Sequence, residues 1–109
     1  MSKSRAKGTL WESRCVTYLR EHGFPWAERR AMAGAYDKGD IHLPGVMIEC
    51  KAEKQITLAE YMKEVKAQTA NCPPNTVGVA WVKAPGKSID DSYVVMSPAT
   101  FLALLEPSS

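Results

Sequence analysis

Apolar and polar positions along this chain fall into short blocks that switch between helical and strand periods, and most blocks close on glycine or proline. Leu10, Trp11, Cys15, Tyr18, Leu19 and His22 recur at helical spacing, and Gly23 follows them as a helix-ending residue. Thr9 is the expected N-cap of that helix, with Glu12 as its capping-box partner. Residues 24–31 read as a strand and residues 32–39, with two glycines, as a loop. Residues 38–43 and 46–52 read as the arms of a hairpin turning at Leu43-Pro44-Gly45. Thr57 and Glu60 open a second helix with the apolar stripe Leu58, Tyr61, Met62, Val65 and Thr69, which Cys72-Pro73-Pro74 stops. The valine-rich segment 76–82 suits a buried strand, 84–91 a loop and 92–96 another strand. Ser97-Pro98 opens a last helix carrying Phe101, Leu102, Leu104 and Leu105. The expected order is α-β-β-β-α-β-β-α, an α/β fold with a central mixed sheet flanked by helices. Residues 1–8 are expected as a flexible basic arm and 9–109 as a single domain.

The hairpin places chemistry. Asp40 stands in Gly39-Asp40-Ile41, and Glu49-Cys50-Lys51 closes the apolar run Val46-Met47-Ile48. Strand residues alternate between faces, so Glu49 and Lys51 share one face while Val46, Ile48 and Cys50 point the other way, into the core. A turn at Pro44-Gly45 brings Asp40 back beside Glu49. Neighbouring carboxylates repel unless a cation joins them. Two carboxylates and an ammonium at one point suit a Mg²⁺-dependent phosphodiesterase, with hard oxygen ligands and a cation near the scissile phosphate. Each acid alone reads equally as a surface residue. It is their joint placement in an apolar segment that asks for a reason. Glu12 is a third acid, as a helix cap or as a ligand acting through water. Lys51 fits a salt bridge and a catalytic cation with one geometry.

Composition narrows the class. The length of 109 residues fits one domain, and no apolar stretch reaches the ~20 residues a membrane helix needs. A basic N-terminus without a following apolar block gives no signal peptide, so a cytoplasmic protein is expected. Cys15, Cys50 and Cys72 are odd in number and widely spaced, which argues against a disulfide framework or zinc site. The formal charge of +2 is uneven: residues 1–30 carry +4 and residues 31–109 carry −2. A basic N-terminal third suits a polyanion, and Lys3, Arg5, Lys7, Arg14, Arg29, Arg30 and Lys54 are the candidate DNA contacts. Trp11 reads as core and Trp26 as a base-stacking candidate. His22 and His42 read as structural. There is no G-x-S-x-G and no P-loop.

Lys7-Gly8-Thr9-Leu10-Trp11-Glu12, then Gly39-Asp40-Ile41, then Ile48-Glu49-Cys50-Lys51 resembles the PD-(D/E)XK nucleases. Within them the chain is most similar to archaeal-type Holliday junction resolvases and their phage relatives, from about Lys7 to Leu105. The resemblance implies a restriction-endonuclease-like core and a Mg²⁺ site, with Mn²⁺ as substitute. It implies Asp40 and Glu49 as metal ligands, with help from the backbone carbonyl of Cys50. Lys51 would orient water or stabilise the pentavalent phosphate, and Glu12 matches the glutamate of the first helix. The proline of the family name is replaced by Gly39. The resemblance also implies a homodimer that makes paired, symmetric nicks in a four-way DNA junction. The alternatives are an exonuclease or restriction-like enzyme of the same superfamily, a non-catalytic DNA-binding domain, or a small interaction domain whose acids are surface residues.

Overall fold

The structure, a computed structural model, describes residues 3–29 and 39–106, with side chains from residue 8 onward. In chain order the elements are α1 (Lys3–Glu21), β1 (Glu28–Arg29), β2 (Ile41–Leu43), β3 (Val46–Lys51), α2 (Leu58–Thr69), β4 (Val77–Val82), β5 (Tyr93–Val95) and α3 (Pro98–Leu105), with a 3₁₀ turn Ile89–Asp91 before β5. This is the expected order. The five strands form one open sheet in the order β1-β2-β3-β4-β5. Every pairing is antiparallel except β3–β4. A parallel pair needs a long crossover, and α2 supplies it. The fold is therefore α/β, with a mixed sheet and helices on both faces. No described helix is long and apolar enough to cross a membrane.

Both faces of β3 and β4 are covered, which explains their near-continuous apolar sequences. On one face Ile48, Cys50, Val79 and Trp81 pack with Trp11, Cys15 and Val16 of α1. On the other, Met47, Ala80 and Val82 pack with Tyr61 and Val65 of α2. Trp11 anchors the first layer. Its ring meets Trp81 edge-on at 6.3 Å, and its Nε1–H donates to the carbonyl of Trp81 at 3.1 Å. Trp11 is thus core, as expected, while Trp26 is exposed.

Several boundaries differ from expectation. Helix α1 starts at Lys3, so residues 3–8 are its first turns rather than an arm. The run Lys3-Ser4-Arg5-Ala6-Lys7 is compatible with a helix, and one glycine costs only about 1 kcal/mol against alanine. Thr9 consequently lies inside the helix, where its carbonyl accepts a bond from the Ser13 hydroxyl at 3.1 Å. Thr57 precedes α2 but makes no side-chain cap. Two other terminal signals do hold. Gly23 has φ +99°, and the N–H of Phe24 reaches back to the carbonyl of Leu19 at 3.0 Å, a Schellman closure. Ser97 accepts from the N–H of Thr100 at 3.2 Å, with Pro98 beginning the helix. The strand expected over 24–31 shrinks to Glu28–Arg29. Arg20 shapes the turn before it by donating twice to the carbonyl of Ala27, at 2.8 and 3.0 Å. The loop expected over 32–39 lies, except for Gly39, outside the described residues, as do Arg30 and Lys38.

Trp11→Phe keeps most of the packing but removes the side-chain donor held against the carbonyl of Trp81. Urea unfolding should show a loss of about 1–2 kcal/mol with an unchanged m-value. An unaltered midpoint would show that the indole bond contributes nothing.

Candidate active site

The hairpin register builds the site. Pro44 and Gly45 form its two-residue turn, with Gly45 at φ +77° as a type II turn requires at its third position. Ile41 then pairs with Ile48, which carries Asp40 to the level of Glu49. The N–H of Asp40 donates to the carbonyl of Ile48 at 3.0 Å. One step on, the N–H of Cys50 donates to Oδ2 of Asp40 at 2.8 Å, so a carboxylate replaces the ladder carbonyl. The carbonyl of Cys50 leaves the strand on the same side as its N–H, toward Asp40.

Gly39 is fixed here for two reasons. Its φ is +90°, and an added Cβ would lie 2.2 Å from Sδ of Met47. Proline, locked near −65°, cannot occupy this position. The glycine that stands where the resemblance has proline is thus dictated by the local backbone.

Glu49 faces α2 and is only 7% exposed. Its Oε2 accepts from Nε2 of the buried Gln68 at 2.9 Å and lies 3.5 Å from Nζ of Lys51. Lys51 in turn pairs with Glu64 and lies 5.4 Å from the centre of the Tyr61 ring. On the other flank Glu12 lies near enough for its charge to raise the Asp40 carboxyl, and it pairs with Arg29 at 3.5 Å. Glu12 therefore belongs to the acidic cluster rather than to a helix cap. Arg29, expected to contact DNA, is exposed and donates also to the Ser13 hydroxyl at 3.0 Å.

The structure thus brings together Glu12, Asp40, Glu49 and Lys51. It adds two residues that sequence reasoning passed over, Gln68 and Glu64. A signal for Gln68 existed: it stands one turn beyond Val65 on the apolar face of α2, where a polar side chain needs a buried partner. Arg14 is exposed with its guanidinium 5.4 Å from the Trp11 ring centre, and Lys54 is exposed on the loop after β3. The side chains of Lys3, Arg5 and Lys7 lie outside the described residues. His42 lines a groove with Trp26 and Pro44 at the turn end of the hairpin.

Protonation follows from burial. Asp40 is pushed up to about 6, chiefly by desolvation, with bonds from Glu49 and the Cys50 N–H pulling the other way and the Glu12 charge adding to the rise. Glu49 is pushed up to about 8, by desolvation first and then by Asp40, against the pull of Gln68 and Lys51. Each acid is among the causes that set the other's protonation, so the two titrations are linked. For Lys51, desolvation works against the charge, but the pairs with Glu64 and Glu49 outweigh it and hold the ammonium above its usual range. The Cys50 thiol is raised far above the usual thiol range by its contact with Cys15 and by burial, so it is no nucleophile.

Among the described residues no cluster of three or more histidine, cysteine or acidic side chains is gathered as a ready metal cage. Mg²⁺ asks for less. It binds through one or two carboxylates, keeps several waters and takes substrate phosphate oxygens. Asp40, Glu49 and the carbonyl of Cys50 form such a donor set, and a divalent ion there would favour the charged form of both acids. Compared with known proteins, the chain matches no family model, no curated protein and no solved structure.

Two outcomes are expected. Gly39→Ala should lower the melting temperature and distort the site, because both the left-handed backbone and the Met47 sulfur oppose the new methyl. Equal melting temperatures would refute this account. The carboxylate pair holds protons more tightly when folded than when unfolded, so it disfavours the folded state increasingly as pH rises from about 4 to 8. Glu49→Gln removes that cost and keeps an oxygen for Gln68. In metal-free buffer the variant should gain on wild type between pH 5 and pH 8, by on the order of 2 kcal/mol at pH 8. Added Mg²⁺ should narrow the gap by stabilising wild type alone. A gap independent of pH would show that Glu49 titrates normally.

Proposed function

We propose that this chain is a Mg²⁺-dependent DNA endonuclease with a restriction-endonuclease-like core, acting on four-way junctions as a Holliday junction resolvase. The observation that carries the reading is the half-buried Asp40 and the buried Glu49 beside Lys51 at the open end of the hairpin, with Asp40 held by the Cys50 N–H and Glu49 by Gln68. Burying two acids together without a cation is costly, and a fold that does so has a use for one. Asp40, Glu49 and the Cys50 carbonyl would hold the ion. When bound, it supplies a Lewis acid and a water activated near neutral pH. Lys51 contributes a positive charge next to the ligands, where the phosphorane gains negative charge. Glu12 holds Asp40 from the α1 side, and Arg29 balances its charge. Hydrolysis adds water across one P–O bond, leaving a phosphate monoester and a hydroxyl.

The basic residues of α1, together with Lys54, suit a phosphate backbone on either side of the site. Junction resolution further asks for two sites, so a homodimer is part of the proposal. An exonuclease or restriction-like enzyme would use the same chemistry on a different DNA shape. A non-catalytic DNA-binding domain would have no need to keep two acids in the core.

Cleavage of four-way junction, fork, linear duplex and single strand, each with Mg²⁺ and with EDTA, tests the reading. Paired nicks in the junction, abolished by EDTA, are expected. Asp40→Ala, Glu49→Ala and Lys51→Ala should each lower cleavage by several orders of magnitude while junction binding persists, since members of a catalytic unit fail together. Glu12→Gln should cost less. Undiminished cutting by Asp40→Ala would mean that the site lies elsewhere.

A further inference from the structure

Helix α3 has the composition of a buried helix and the exposure of a surface one. From Tyr93 through Leu105 there is no charged residue and no histidine. Yet α3 buries none of its side chains: Phe101 is 53% exposed, Leu102 61%, Leu104 49% and Leu105 61%. A helix that is apolar all round normally lies inside a core or an interface. No described residue covers it. It touches the sheet through β4, and an open groove of about 640 Å³ separates it from α2. Strand β5 beside it ends the sheet, with Val94 51% and Tyr93 42% exposed. Val94 and Phe101 line one depression, so strand edge and helix form a single patch.

We propose that β5 and α3 form the interface with a second copy of this chain. Three properties select that partner. The patch carries no charge by which to recognise an acidic or basic surface, and it meets its own copy without repulsion. An edge strand can pair antiparallel with itself about a two-fold axis normal to the sheet, here with Val94 opposite Val94, and this removes an exposed edge. The six side chains Tyr93, Val94, Phe101, Leu102, Leu104 and Leu105 expose roughly 650 Å² per copy. Two copies together bury about 1,300 Å², within the range of specific stable interfaces.

Such pairing joins the two sheets into one of ten strands, twice the five of each copy. An axis normal to the sheet keeps each face on its own side, so both Glu49–Lys51 pairs lie on one face. The two β3 strands stand five strand spacings apart, about 24 Å. The interface supplies the second site that the proposed junction cleavage needs, but it is tested without DNA, so its failure and that of the nuclease reading are separable.

Light scattering across micromolar concentrations should show a dimer for wild type. Leu102→Glu with Leu105→Glu should raise the dissociation constant about 100-fold or more, with far-ultraviolet circular dichroism unchanged. Leu10→Glu, on an equally exposed apolar residue of α1, should leave the dimer intact. With Cys72→Ser as background, Val94→Cys should form a covalent dimer on mild oxidation, since opposed residues at a two-fold meet disulfide spacing. A monomeric wild type at 100 µM, an undisturbed dimer in the double variant, equal dissociation by Leu10→Glu, or no covalent dimer from Val94→Cys would each overturn the proposal.

Discussion

Everything around this site answers to the desolvation of two neighbouring carboxyl groups. An acid buried alone shifts its protonation rather than bear its charge, and a second acid beside it deepens the shift. The chain surrounds the pair with the donors that make it tolerable. The Cys50 N–H meets Asp40 from the strand, Gln68 meets Glu49 from α2, and Lys51 supplies a cation at 3.5 Å. Only Lys51 is local in sequence to the acid it serves; the Cys50 N–H reaches Asp40 through the hairpin and Gln68 comes from α2. The sheet and α2 must both be in place before the pair can exist. Fold and site are thus coupled through a desolvation cost.

That coupling explains what could be read from the sequence. The hairpin was legible because Pro44-Gly45 defines a two-residue turn and the alternation of 46–51 fixes which residues share a face. Asp40 opposite Glu49 follows from counting. The burial of β4 followed from its valines. The caps were less legible. Thr9 and Thr57 each have a glutamate three residues on, the pattern of a capping box, and neither forms one. At Thr9 the helix runs on upstream, and its glutamate pairs with Arg29 instead. A capping pattern states what a glutamate can do locally. It gives no weight to a charged partner from a distant strand.

Apolar stripes show the same limit from the other side. Leu10 and Leu58 sit at helical spacing with true core residues, yet both are exposed, while Val16 and Gln68 take inward positions. Periodicity fixes a face to within about one residue in a helix. Which edge of that face meets the sheet depends on the crossing of helix and strands. Helix α3 is the extreme case. Its pattern names apolar residues without saying what covers them.

Helix α2 links these observations. Tyr61, Glu64, Val65 and Gln68 occupy one side of it, spaced three and four apart. Tyr61 and Val65 fasten that side to the sheet. Glu64 and Gln68 reach Lys51 and Glu49, which stand two apart on β3. One helical turn rises 5.4 Å, and two strand residues span about 6.6 Å, so the two periods nearly match. The contact at Gly78 sets how close the helix lies. A Cβ there would fall 2.2 Å from Oγ1 of Thr69 and 2.8 Å from a methyl carbon of Val65. Glycine in β4 lets α2 settle one methyl group nearer the sheet, near enough for a short glutamine side chain to reach Glu49. A packing detail two strands from Asp40 therefore governs the geometry of the carboxylate pair, and the site is as rigid as the helix–sheet contact that backs it.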